Sequence, residues 1–195
     1  MDECSKALTR RQKDTRYADR WLVGRGLDVG CGNNPLTKED WPKVAEVVPY
    51  DVSLGHKDGM FLPEIKDGEF DFVHSSHCLE HLLNPRSAMT NWLRVLRPGG
   101  FIVALFPEEF LYELGRWPSR FNPDHKQSFT LRAMPIIPRS CNVLNLLWKL
   151  PCDVELVTLL TENWDPSKMG QDQTLGPAEC SIEVVVRKPH DQRPW

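Results

Sequence analysis

The segment Gly26-Leu27-Asp28-Val29-Gly30-Cys31-Gly32-Asn33-Asn34-Pro35 limits the folds open to this chain more than any other, because it sets an acid and two close glycines where an apolar strand ends. Glycine permits positive φ and lets a ligand come close to the backbone, and amides at the start of a following helix are unpaired. Asp51 closes the next apolar run, Val44 to Tyr50, at about the 20-residue spacing where a ribose-binding carboxylate is expected. Together these features predict a pocket for a nucleotide-type cofactor. The same residues also fit an ordinary strand and turn, since a short glycine motif alone is weak evidence.

A dinucleotide fingerprint needs a third small residue three positions after Gly32, where Pro35 stands. A nicotinamide-dependent oxidoreductase is therefore the weaker alternative. Two further motifs follow. Phe70-Asp71-Phe72-Val73-His74-Ser75-Ser76-His77-Cys78-Leu79-Glu80-His81-Leu82 reads as an apolar strand and its turn, and Leu93-Arg94-Val95-Leu96-Arg97-Pro98-Gly99-Gly100-Phe101-Ile102-Val103 as a helix end, a turn and a strand. In this order, over roughly residues 20 to 107, the three motifs resemble those of the class I S-adenosylmethionine-dependent methyltransferases.

The resemblance implies a Rossmann-like α/β fold: a seven-stranded, mostly parallel sheet with helices on both faces and an antiparallel last strand. It also implies S-adenosyl-L-methionine as cofactor. By that resemblance Asp28 and the backbone of Gly30, Cys31 and Gly32 meet the methionine end, and Asp51 meets the ribose hydroxyls. Asp58, Gly59 and Met60 meet the adenine, and Ser75 and Ser76 form the rim beside the methyl group.

The pattern along the chain agrees with one methyltransferase domain over 1–195, with an N-terminal cap segment (1–24) and a substrate lid (108–139). Ser5 to Trp21 is expected to form a helix over the cofactor mouth. Strands are predicted at Gly26 to Gly30 and Val44 to Tyr50, with a third, short one near Met60 to Leu62 and another at Phe70 to Ser75. Pro85 to Leu96 carries a helical apolar stripe that Arg97-Pro98-Gly99-Gly100 stops, and Phe101 to Phe106 is a buried strand. Alternating strands and helices argue for a parallel sheet covered on both faces. From Glu108 to Arg139, four prolines stand among Trp117, Phe121 and Phe129. Such an irregular excursion at the carboxyl edge of an open α/β sheet is where ligands bind. Asn142 to Leu150 is expected to be helical, Cys152 to Leu160 and Glu179 to Arg187 to be strands, and His190 to Trp195 to be tail.

Composition narrows the partners. With 24 basic and 27 acidic residues the charge is nearly balanced, which gives no electrostatic reason for a nucleic-acid partner. Met1 to Lys13 lacks the apolar stretch of a signal peptide, and the longest apolar run, Phe101 to Phe106, is too short to span a bilayer. A cytoplasmic protein without membrane attachment is expected, its oligomeric state open. The six cysteines form no C-x-x-C pair, so free thiols are expected. His77 and His81, four apart, would share a helix face, but no neighbouring carboxylate–cysteine set completes a tetrahedral site with His74, so no metal is expected.

Methyl transfer from a sulfonium needs orientation above all, which can supply about 7–11 kcal/mol. Where a base is needed, histidine suits neutral pH. His77 and His125 are the catalytic candidates: His77 follows the strand at Phe70 to Ser75, and His125 lies in the lid beside Asp124. His81 follows Glu80 and is expected to steady the helix start.

The element of amino-methylating DNA enzymes is replaced here by Ser75-Ser76-His77-Cys78, and Pro151-Cys152 comes too late to serve as a cytosine C5 nucleophile. Glu108-Glu109 reads as a solvated pair and not as the double-glutamate loop of arginine methyltransferases. A small-molecule or sugar-containing acceptor is left, with O-methylation as the expected chemistry. The rival of another class is a non-catalytic cofactor-binding or scaffold protein.

Overall fold

A computed structural model of the chain describes residues 3–190. The part of the expected tail at 191–195 lies outside the described residues. Among the described residues there are eight strands: β1 (Gly24–Val29), β2 (Val44–Tyr50), β3 (Phe70–Ser76), β4 (Leu96–Pro107), β5 (Ser128–Thr130), β6 (Ser140–Asn142), β7 (Asp153–Leu160) and β8 (Ser181–Arg187). The helices are α1 (Glu3–Arg11), α2 (Pro85–Val95) and α3 (Val143–Trp148), with a π-helical turn at Tyr17–Trp21.

Six strands form the main sheet in the order β2-β1-β3-β4-β8-β7, and β5 pairs with β6 in a separate ribbon. The first four of the main sheet are mutually parallel, while β8 runs antiparallel to both β4 and β7. The Rossmann-like architecture and its antiparallel final strand are therefore present, but the strand expected at Met60 to Leu62 is a turn. Leu62 takes φ 47°, which an extended strand does not permit, and Pro63 follows it.

Strand alternation explains how the sheet is covered. Leu27, Val29, Val73, Ile102, Ala104 and Val184 point to the face where α2 and α3 pack through Trp92, Leu93, Leu146 and Leu147. Phe72, Val103 and Val185 point to the other, under Tyr17, Trp21 and Trp41. Helix α2 starts where Asn84 accepts the Ser87 amide and Pro85 takes the first helical position. It ends at Val95, one residue before the expected limit, because Leu96 is already extended and opens β4. Among the described residues no helix is long and apolar enough to cross a membrane. Among the described residues, which include all six cysteines, there is no disulfide.

Candidate functional site

Parallel strands β1, β2 and β3 end at one edge, and there a cleft of about 570 Å³ opens, lined by Gly30, Tyr50, Asp51, Asp58, Gly59, His77, His81 and, from the segment expected to be a lid, Asp124 and Lys126, among others. Its size lies in the range of small-molecule sites. Of the residues expected at the cofactor, Gly30, Asp51, Asp58 and Gly59 line this cleft, and so does the catalytic candidate His77. Gly30 turns at φ 74°, and an added Cβ would sit 2.3 Å from the Cys78 side chain, so no other residue fits the turn.

The Asp51 carboxylate is held in place by two amides: Oδ2 accepts from Gly32 at 2.9 Å and Oδ1 from Ser53 at 2.8 Å. Burial works against the charge, but these hydrogen bonds prevail and hold the carboxyl below its usual range. Each oxygen keeps a lone pair for a further donor. Val52 and Leu83, also on the cleft wall, are 69% and 67% exposed, a pair of apolar surfaces suited to a flat ring. Asp58 accepts the Met60 amide through Oδ1, and the Gly59 carbonyl accepts the Trp92 indole N–H at 2.8 Å, which ties this wall to the core.

Other expected residues stand behind the wall. Asp28 is instead the floor of the glycine loop: its Oδ2 accepts the Leu36 amide and its Oδ1 lies 2.6 Å from His74 Nδ1. Arg11 Nη1 lies 2.8 Å from His74 Nε2, and Arg11 Nε donates to Glu183 Oε1 at 2.5 Å. Because arginine only donates, the His74 proton sits on Nδ1, facing Asp28. Arg10 and the Tyr17 hydroxyl complete the partners of Glu183. Helix α1 is thus moored to the sheet edge through buried charge. The Cys31 thiol is pushed up to about 11 by burial and by Asp28, which makes it inert packing. Met60 belongs to the core, the Ser75 hydroxyl donates to the Val29 carbonyl, and Ser76 is buried with no hydroxyl partner.

The expected lid segment, 108–139, carries its own polar cluster. Amides of Lys126 and Gln127 both donate to the Glu80 carbonyl, at 2.7 and 3.0 Å, and so pin the lid to the turn after β3. His81 Nδ1 lies 2.8 Å from Asp124, and His125 Nδ1 lies 2.6 Å from Glu113. The two imidazoles stand edge to face at 5.0 Å. His77 holds φ 52° at the tip of the strand, with Nδ1 3.4 Å from Glu80 and Nε2 3.4 Å from Ser181 Oγ. Burial raises the Glu80 carboxyl, but His77 and His81 outweigh it and keep it below its usual range.

Glu108 and Glu109 are not a solvated pair. Both are buried, Glu108 accepting the amides of Phe110 and Leu111 and Glu109 that of Ile136, so they brace the root of the lid. Sequence patterning also passed over Glu113, whose partner in the lid is 12 residues away.

A family model described as a methyltransferase domain matches residues 4–135. Among solved structures, an S-adenosylmethionine-dependent methyltransferase of Archaeoglobus fulgidus is 19% identical with a TM-score of 0.61, covering 95% of this chain and 94% of that one. One from Mesorhizobium loti is 16% identical at TM-score 0.60, covering 90% and 96%. The phosphoethanolamine N-methyltransferase 2 of Haemonchus contortus, in complex with S-adenosyl-L-methionine, is 15% identical at TM-score 0.59, covering 90% of this chain and 51% of that one. At such identities the likeness speaks for the fold. No curated protein matches significantly.

Proposed function

The chain belongs to the methyltransferase-domain family, and we propose that it moves a methyl group from S-adenosyl-L-methionine to a hydroxyl oxygen of a small-molecule or sugar-containing acceptor. The observation that carries this reading is Asp51: a carboxylate fixed by two amides at the end of β2, with lone pairs left for two ribose hydroxyls. Val52 and Leu83 suit the adenine, and Asp58 and Gly59 suit its edge. Gly30 and Gly32 bring backbone to the methionine end, where a Cβ at Gly32 would meet only open space.

When bound, the donor supplies a sulfonium methyl carbon, which the acceptor oxygen attacks while the methyl–sulfur bond breaks and its electron pair stays on sulfur, giving S-adenosylhomocysteine. The chain's own residues hold the acceptor in line, exclude water and take the hydroxyl proton. His77, on the cleft wall, is the residue to which that proton is assigned. His125, steadied by Glu113 next to His81, is assigned to the acceptor end under the lid. The test is transfer of label from methyl-labelled donor to a panel of hydroxylated small molecules and glycans. His77→Ala is expected to slow transfer by about 10²–10⁴-fold with S-adenosylhomocysteine affinity kept. Label on an amine nitrogen would replace the oxygen acceptor, and donor binding with no transfer to any acceptor class would favour the non-catalytic alternative.

A further inference from the structure

We propose that Glu80, His81 and His125 form a divalent-metal site at the lid side of the cleft. One ring nitrogen of each histidine and a Glu80 carboxylate oxygen lie within 4.8 Å of one another. Ligands about 2.1 Å from a metal stand roughly 3 to 3.5 Å apart, so small side-chain rotations close the triad. The lid loop is already fastened to the Glu80 carbonyl by two amides, and this brings His125 to a turn 44 residues earlier in the chain.

Two independent observations point to a cation. First, each histidine has its Nδ1 against a carboxylate, Asp124 for His81 and Glu113 for His125, which leaves Nε2 as the ligand atom. Metal-bound histidines are oriented in this way by an outer carboxylate. Second, two buried carboxylates each keep one oxygen without a donor. Glu80 and Glu113 are 1% and 0% exposed, and Glu80 Oε2 and Glu113 Oε2 have no hydrogen-bond partner among the described residues. Among the described residues no arginine or lysine forms an ion pair with either, unlike Glu183, which two arginines grip. A buried carboxylate oxygen left without a partner is costly unless a cation meets it.

Two imidazoles and one carboxylate suit zinc, iron(II), cobalt(II) or manganese, and not calcium or magnesium, which prefer oxygen sets. Three protein ligands leave positions for an outside oxygen, and His81 lines the cleft. A metal there would polarise an acceptor hydroxyl. That role rests on the methyl-transfer reading, whereas the site rests only on its ligands.

The test uses the full chain stripped with chelator, titrated with Zn²⁺, Co²⁺ and, as control, Mg²⁺ by calorimetry and, for Co²⁺, visible absorption. One equivalent of Zn²⁺ or Co²⁺ should bind with micromolar or tighter affinity, Co²⁺ giving ligand-field bands, and Mg²⁺ should not bind. His125→Ala and Glu80→Gln should each weaken Zn²⁺ at least 100-fold while keeping S-adenosylhomocysteine binding, which reports that they fold. Asp51→Ala should leave Zn²⁺ affinity unchanged. Absence of Zn²⁺ and Co²⁺ binding by the wild-type chain, or an unchanged affinity in His125→Ala, overturns the proposal. Metal binding without S-adenosylhomocysteine binding would leave this site standing and remove the methyl-transfer reading instead.

Discussion

Two clusters of carboxylates and histidines sit at the same sheet edge and are built to opposite standards. Under α1, each oxygen of Asp28 and Glu183 has a donor: His74, the Leu36 amide, Arg10, Arg11 and Tyr17. Under the lid, Glu80 and Glu113 are as deeply buried, yet each keeps one oxygen unpartnered. A network whose carboxylate oxygens all have donors fixes structure, whereas one that leaves such an oxygen open holds a place for something else. Carboxylates of the first cluster should therefore report in stability, and those at the cleft and lid in binding.

Glu183→Ala tests that division hardest. It leaves Arg11 buried against no anion, while Arg10 keeps Glu179, and a loss of about 3–5 kcal/mol in urea unfolding is expected. Glu80→Gln, measured the same way without metal, should cost about 1 kcal/mol or less. Equal losses would erase the distinction between the clusters.

Asp51→Ala should move the other quantity. S-adenosylhomocysteine binding is expected to weaken by about 1–3 kcal/mol, with little change in unfolding, because the carboxylate is half-exposed and bonded only to the Gly32 and Ser53 amides.

Acid should act on the closed cluster next. Burial raises the Glu183 carboxyl, but Arg11 and Arg10 outweigh it and hold its pKa below the ordinary 4.5. A depressed acid contributes stability that is complete above that ordinary value and is lost as pH falls through the folded value. The thermal midpoint should hold from pH 7 down to about 5 and fall below about 4.5, and Glu183→Gln should flatten that fall. The smallest effect belongs to Trp92→Phe, which removes the indole bond to the Gly59 carbonyl. About 0.5–1.5 kcal/mol of stability should go, together with a modest loss of ligand affinity read by calorimetry.

How far the chain disclosed these features depends on the distance between partners. The apolar runs ending at Val29, Tyr50 and Ser76 are local signals, and they gave the parallel sheet and the place of Asp51. The extra strand at Met60 to Leu62 was misjudged because three apolar residues cannot reveal the positive φ of Leu62. Asp28 looked like a ligand-facing acid because its partner His74 lies 46 residues on, and Arg11 bridges that histidine to Glu183, 172 residues from itself. Glu108 and Glu109 looked solvated because an acidic pair does not display the lid amides it accepts. Residues Glu80, His81 and His125 were each visible, but the Lys126 and Gln127 amides on the Glu80 carbonyl and the His81–Asp124 contact bring them together.

What occupies the edge where β1, β2 and β3 end decides the function. Calorimetric titration with S-adenosylhomocysteine, and separately with NAD, decides it: one equivalent of the former should bind in the micromolar range and weaken in Asp51→Ala, while NAD gives no heat. Preferential binding of NAD, or S-adenosylhomocysteine affinity indifferent to Asp51, would contradict it.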